Sequence, residues 1–233
     1  MPTIDLNCDL GEGFPHDAEL MGLISSASIA CGGHAGDAGS VRAAVELADR
    51  RGVRAGAHPS FADRDGFGRR ETEIAWGPLV DVIDGQILAF ERAAGRRPDY
   101  VKPHGALYNM ACVRHDYARA VGEAAVRRRV RAIMGPPGSV LELEAAGRGL
   151  GFHAEGFADR RYRPDGRLVP RDRPDAMIDD PAEAVAQVER LIADHGVRSL
   201  CVHGDNPRAV EFVRELRRHL EARGFVIAPV EPS

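Results

Sequence analysis

The amino-acid sequence predicts a single α/β domain, residues 1–233, built as a (β/α) barrel. Short apolar segments alternate with amphipathic segments along the chain, a pattern typical of parallel strands joined by right-handed helical crossovers. Four of the apolar segments run into a histidine beside glycine or proline. In a barrel the carboxyl ends of all strands meet at one rim, so these histidines are expected to converge there.

The first half of the chain predicts three strands, two long helices and a long loop. Residues 3–9 alternate strictly, so Asp5, Asn7 and Asp9 share the face that points into the barrel while an apolar face meets the helices. The other elements predicted in this half are a short helical segment at 16–24, strands at 27–33 and 53–58, helices at 39–51 and 76–94, and a loop at 60–72.

The second half continues the alternation. Its predicted elements are a strand leading into Lys102, a helix at 116–129, a strand at 130–134, a helix from the 135–139 turn to Gly147, a strand at 152–157, an irregular polar segment at 158–180, a helix at 181–195, a strand at 199–203, a helix at 207–223 and a strand at 225–230. Seven or eight strands indicate a closed or nearly closed barrel. A doubly wound open sheet fits the same pattern.

The composition excludes several classes of protein. Hydrophobic residues make up 44% and charged residues 28% of the chain, and the net charge of −4 gives no reason to expect nucleic acid or an anionic membrane as a partner. No secretory leader pattern and no run of about 18 apolar residues are present, so we expect a cytoplasmic protein without a membrane span. The four cysteines form no C-x-x-C pair, and buried thiols are expected.

Strand parity predicts which side chains face the interior. In each strand the helix-facing set is apolar, whereas the inward set carries ionisable residues, for example Lys102 with His104, and His153 with Glu155. Burying unpaired polar groups is unfavourable, so this inward cluster indicates chemistry rather than packing. The predicted catalytic residues are Asp9, His34, His58, Lys102, His104 and His203. Asp9 and Glu12, with the histidines, are also candidate ligands of a divalent metal, whose presence the pattern leaves open.

Seven motifs, in order along nearly the whole chain, resemble the LamB/YcsF family. They are DLNCDLGE at 5–12, IACGGHAGD at 29–37, GAHP at 56–59, GFGRR at 66–70, VKPHGALYN at 101–109, FADRRY at 157–162 and CVHGD at 201–205. The resemblance implies a seven-stranded barrel like that of the glycoside hydrolase/deacetylase superfamily. It also implies ATP-dependent 5-oxoprolinase activity, which converts 5-oxoproline, ATP and water to L-glutamate, ADP and phosphate together with partner subunits B and C.

This reaction assigns roles to the predicted residues. A five-membered lactam keeps its amide resonance, so phosphorylation of the amide oxygen would activate the ring carbon for attack by water. His104, His58 or Asp9 could act as the base and Lys102 as the cation beside a phosphate or oxyanion. One of Arg69, Arg70 and Arg160 could bind the substrate carboxylate. The predicted substrate-binding residues are Asn7, Arg69, Arg70, Glu155, Asp159, Arg160 and Asp205.

The loop at 60–72 is a predicted lid. Its Phe61 and Phe67 could exclude water from the lactam, and its Arg69 and Arg70 would arrive as the lid closes. The alternative interpretation is a solvated surface loop in which the arginines pair with Asp63 and Asp65.

Two other functions remain open from the sequence. The first is a self-sufficient, metal-dependent amidohydrolase or deacetylase-like enzyme that acts on another small amide without ATP. The second is a non-catalytic subunit that only binds substrate for a partner. The chain has no G-x-x-x-x-G-K-[ST] segment, so the sequence does not indicate which subunit binds ATP.

Overall fold

The computed structural model describes residues 1–164, 166–171, 173–204, 208–229 and 231–232. Its strands are β1 (Thr3–Leu10), β2 (Ser26–Ala30), β3 (Arg54–His58), β4 (Ala132–Gly135), β5 (Gly151–Phe157), β6 (Ser199–His203) and β7 (Val226–Ile227). Its helices are α1 (Asp17–Leu20), α2 (Ala38–Arg51), α3 (Trp76–Ala94), α4 (Gly105–Val113), α5 (His115–Arg127), α6 (Val140–Gly147), α7 (Pro181–His195) and α8 (Ala209–Ala222).

The strands form one parallel sheet with β1 near its middle. Six strands pair in the order β3-β2-β1-β6-β5-β4, and β7 pairs with the start of β1. Asp9 of β1 lies opposite Ser28 of β2 and His203 of β6. The carboxyl ends of the strands therefore lie at the same end of the sheet, as the predicted rim requires.

Val101 closes the sheet into a barrel. It forms parallel bridges to Ala57 of β3 and Ile133 of β4, the two strands at the ends of the pairing order. Its N–H donates to the carbonyl of Ala132 at 3.0 Å, and its carbonyl accepts from the N–H of Met134 at 2.9 Å. The strand predicted before Lys102 is therefore only a very short segment, although it occupies the predicted place. The predicted (β/α) barrel is confirmed.

Some predicted elements differ from the structure. The helix α4 was not predicted, because its buried residues occupy nearly every side of the helix and leave no amphipathic period to detect. The helix α1 covers only four residues of the predicted 16–24 segment. The last strand, β7, is limited to two residues that pair with Thr3 and Ile4 outside the barrel. The helices α3 and α7 have the predicted bounds.

The two faces of the barrel wall are packed differently. The outward residues of β1 are buried against the helices and belong to the main apolar core, as do outward residues of β2, β3 and β6. Inside, the ring of Tyr100 lies where a side chain on Gly56 would stand, and its hydroxyl is 3.2 Å from Ser28 Oγ. None of the described helices is both long and apolar enough to cross a bilayer.

We expect Gly56→Ala to destabilise the fold. A Cβ at Gly56 would lie 2.3 Å from the ring of Tyr100, which is fully buried. Overpacking of this kind costs about 1–3 kcal/mol, measured as the loss in free energy of unfolding by urea denaturation. The control is Gly85→Ala on α3, where an added Cβ meets nothing within 4 Å and should raise stability by about 0.5–1 kcal/mol. Equal stability of Gly56→Ala and the parent chain would contradict this account of the interior.

Candidate functional site

Ionisable side chains meet at the carboxyl end of the barrel, as predicted. The strands β1, β3, β5 and β6 contribute Asp9, His58, Glu155 and His203. Lys102 follows the bridging residue Val101, and His34 and His104 follow on the loops after β2 and Val101. Within the described residues, all six predicted catalytic side chains lie in this one region.

Lys102 is the centre of a buried ion network. Its ammonium donates to Asp9 Oδ1 at 2.8 Å and to Asn7 Oδ1 at 3.2 Å, lies 2.7 Å from Glu155 Oε1, and contacts Cys201 Sγ at 3.2 Å. Burial alone would lower the pKa of Lys102, but Asp9, Cys201 and Glu155 outweigh it and hold the pKa well above its usual value. The residue therefore keeps its positive charge. It is also the only lysine in the chain, a sequence signal that marks this position and that the strand-parity argument did not use.

The rings of His58 and His104 are fixed by backbone carbonyls. His58 Nδ1 lies 2.7 Å from the carbonyl oxygen of Lys102, and His104 Nε2 lies 3.0 Å from that of Phe67. A carbonyl oxygen can only accept, so each of these nitrogens carries its proton. The other two nitrogens, His58 Nε2 and His104 Nδ1, face each other at 3.0 Å.

Two carboxylates flank the facing nitrogens. Asp9 Oδ2 is 3.3 Å from His58 Nε2, and Glu12 Oε1 is 3.4 Å from His104 Nδ1. His34 Nε2 lies 2.9 Å from the same Glu12 oxygen. The donor atoms of Glu12 and the three histidines all lie within 4.8 Å of one another, as ligands of one metal ion do. Burial lowers the pKa of both His34 and His104, which favours their neutral forms.

His203 and Asp159 form a separate hydrogen-bonded pair at the same end of the barrel. The backbone N–H of His203 donates to Asp159 Oδ2 at 2.8 Å, and His203 Nδ1 lies 3.0 Å from both carboxylate oxygens. Burial acts to raise the pKa of Asp159, but His203 outweighs it and holds the pKa below its usual value. The carboxylate therefore keeps the proton on Nδ1, which leaves Nε2 of a neutral ring able to accept one. Asp159 was predicted as a substrate-binding residue, and no sequence pattern indicated that it pairs with His203.

The predicted substrate-binding arginines lie in different environments. Arg160 is buried, its Nη2 donates to the carbonyl of Val169 at 2.7 Å, and its Nε has no hydrogen-bond partner among the described residues. The guanidinium of Arg69 lies 4.9 Å from the ring centre of Phe67. Arg70 is largely exposed and pairs with Asp63 at 3.4 Å, as in the surface-loop interpretation. Asp205, the last predicted substrate-binding residue, lies outside the described residues.

The 60–72 loop covers the histidines with Phe67 and Gly68. The ring centre of Phe67 is 5.2 Å from that of His34 and 5.5 Å from that of His104, and its backbone has a φ of 54°. The next residue, Gly68, lies so close to the two histidines that a Cβ there would be 3.0 Å from His34 Cβ and 3.1 Å from the His104 ring. Phe61, predicted to share this covering role, is instead part of the core and packs against Tyr117. Its ring centre lies 6.1 Å from that of Tyr117 on α5, so it packs with the helical layer.

Comparisons with known proteins agree along the whole chain. The LamB/YcsF family model matches residues 4–233. A protein of Methylococcus capsulatus, named as the A subunit of 5-oxoprolinase, is 47% identical, with 97% of this chain and 95% of that protein covered. One of the same name from Pyrococcus furiosus is 41% identical, with 97% of each covered.

The solved structures extend the comparison to the fold. A lactam utilization protein from Thermus thermophilus superposes with a TM-score of 0.83 at 37% identity, covering 98% of this chain and all of that one. A family 4 carbohydrate esterase from Streptomyces lividans has a TM-score of 0.54 at 13% identity, covering 99% of this chain and 94% of that one. The second likeness concerns the barrel fold alone.

We expect Lys102→Met to destabilise the chain strongly at neutral pH. The substitution leaves Asp9 and Glu155 buried without their cation, and removal of one partner from a buried ion pair costs about 3–5 kcal/mol. Lys102→Met with Glu155→Gln should recover part of that loss, because one of the two uncompensated charges is then gone. Urea unfolding of both variants measures the difference, and an unchanged free energy for Lys102→Met would contradict the network.

The loss in free energy of unfolding caused by Lys102→Met should also depend on pH. Burial acts to raise the pKa of Asp9, but His58 and Lys102 outweigh it and hold the pKa well below its usual value. Stability from a lowered carboxyl pKa is present above the unfolded-state pKa of about 4 and is lost as pH falls through the folded-state value. The difference between the parent chain and the variant should therefore be largest near neutral pH and should shrink in acid.

Proposed function

The chain belongs to the LamB/YcsF family, and from this premise we propose that it is the A subunit of an ATP-dependent 5-oxoprolinase that works with partner subunits B and C. The observation that carries the proposal is that a buried charged lysine and a histidine oriented by a carboxylate lie at the same end of the barrel. A lactam hydrolase needs a cation for the developing oxyanion and a base for the attacking water. The full-length similarity to proteins named as the A subunit of 5-oxoprolinase supports the same assignment.

The chemistry starts from activation by ATP. Transfer of the γ-phosphoryl group to the lactam oxygen releases ADP and makes the ring carbon electrophilic. Attack of water on that carbon, with cleavage of the ring C–N bond, opens the ring, and hydrolysis of the resulting acyl phosphate releases phosphate and L-glutamate. The amine formed on ring opening takes up the proton that leaves the attacking water.

The residues of this chain serve the ring-opening step. His203 Nε2 takes the proton from water while Asp159 holds Nδ1–H and stabilises the imidazolium that forms. Asp9, which lies opposite His203 in the sheet, holds Lys102 at the same rim. Lys102 supplies the positive charge beside the oxyanion. Arg160 has a buried Nε without a partner among the described residues, and we assign it to the substrate carboxylate in preference to Arg69 and Arg70.

The activity test uses the purified chain with and without its partner subunits and with and without ATP. We expect L-glutamate release from 5-oxoproline only when the A, B and C subunits and ATP are all present, because the chain carries no recognised nucleotide loop. Glutamate release by the chain alone would contradict the assignment to a multi-subunit enzyme. ATP-independent release would favour a self-sufficient amidohydrolase, and no release from the complete mixture would refute the proposed substrate.

The variant Asp159→Asn tests the role of the histidine. Asparagine keeps the shape but lets His203 carry its proton on Nε2, so we expect kcat of the complete complex to fall by about 100-fold or more with little change in KM. His195→Ala is the control, because this exposed histidine at the end of α7 lies far from the rim. Thermal unfolding of both variants checks the fold. A folded Asp159→Asn variant with full kcat would remove His203 from the mechanism.

A further inference from the structure

The facing nitrogens of His58 and His104 lie at hydrogen-bond distance, but two neutral imidazoles in these orientations have no proton to place between them. Each ring already uses its N–H on a backbone carbonyl, so the two nitrogens that meet at 3.0 Å both present lone pairs in the neutral state. Lone pairs at that distance repel each other. A cation between them, either a shared proton or a metal ion, removes the repulsion.

We propose that Glu12, His58 and His104 bind one divalent transition-metal ion, with Zn²⁺ as the probe that tests it. Metal–ligand bonds of about 2.0–2.1 Å place two adjacent ligands about 2.8–3.4 Å apart. The two imidazole nitrogens are 3.0 Å apart, and His104 Nδ1 is 3.4 Å from Glu12 Oε1. These two separations are those expected between adjacent ligands in one coordination shell.

The surroundings of these ligands also fit a metal site. Histidines that bind metals almost always donate their other ring N–H to a carbonyl or carboxylate, as both His58 and His104 do here. His34 is suited to hold the third ligand, because its Nε2 contacts Glu12 Oε1 at 2.9 Å and its ring stacks on His104 at 3.7 Å. The three ligands are thus oriented before any ion arrives.

The charge balance of the region favours a further cation. Asp9, Glu12 and Glu155 bring three carboxylates into a buried space in which Lys102 supplies one ammonium. Uncompensated buried carboxylates are unfavourable. A divalent ion bound by Glu12 offsets the excess negative charge on the histidine side of the cluster, where no contact with Lys102 is made.

The donor set selects the class of metal. Two imidazoles and one carboxylate suit Zn²⁺, Fe²⁺, Co²⁺ or Mn²⁺, whereas Mg²⁺ and Ca²⁺ prefer sites made of oxygen atoms. Three protein ligands leave coordination positions open, as in catalytic rather than structural zinc sites. Binding of the ion is independent of the proposed function, whereas any part it plays in turnover rests on that function.

The binding test uses the full chain without a histidine tag, treated with a chelator and then titrated calorimetrically with Zn²⁺. We expect one equivalent to bind and, by mass action, to raise the thermal unfolding midpoint. Co²⁺ in place of Zn²⁺ should give the visible absorption of an imidazole-bound ion. Glu12→Gln and His104→Ala should each weaken Zn²⁺ binding by at least about tenfold, while the exposed control His195→Ala binds as the parent does.

Three results would overturn the proposal. The first is the absence of stoichiometric Zn²⁺ or Co²⁺ uptake by the folded chain. The second is uptake that Glu12→Gln and His104→Ala leave unchanged, which identifies an adventitious ion. The third is an NMR spectrum in which the ring nitrogens of His58 and His104 share a proton and do not respond to Zn²⁺. Metal uptake without 5-oxoproline turnover by the complex would instead refute the proposed function and leave the metal site standing.

Discussion

The buried ammonium group of Lys102 is the constraint on which the rest of this structure depends. A charge can be kept out of water only where opposing charges and hydrogen bonds replace the solvent, and here Asp9, Glu155 and Asn7 do so from two different strands. Those strands must therefore lie within reach of the residue that carries the amine. The short segment around Val101, which closes the barrel by bridging β3 and β4, brings the amine to that position. The same segment therefore closes the barrel and positions the central residue of the site.

The same segment also orders the imidazoles. The carbonyl of Lys102 holds Nδ1 of His58, and two residues further on His104 meets the other nitrogen of that ring. A lysine suits this position better than an arginine. Its ammonium is a compact charge that two carboxylates and an amide can surround, whereas a guanidinium spreads five donors over a plane. In a chain with 31 lysine and arginine residues, this position alone carries lysine.

Strand parity predicted the inward residues correctly because the side-chain period of a strand is fixed by backbone geometry. Asn7, Asp9 and Glu155 were placed inside from their spacing alone, and the structure places all three around Lys102. The pattern carried no such information for loops. The pairing of Asp159 with His203 joins residues 44 positions apart, and it depends on the path of the chain after β5, which no local period encodes. The helix α4 was missed for a related reason, since a helix buried on most sides has no polar face to reveal it.

Asp9 links the two halves of the site. Its Oδ1 accepts from Lys102 at 2.8 Å, and its Oδ2 lies 3.3 Å from Nε2 of His58. The Asp9 carboxylate contacts both Lys102 and His58. A change in the charge of either group therefore alters the hydrogen bonding of Asp9 with the other. Substitution of Asp9 would disturb the lysine network and the imidazole pair together, and its effect would exceed the contribution of either contact. Only double-mutant cycles that pair Asp9 separately with Lys102 and with His58 can divide that effect between the two halves.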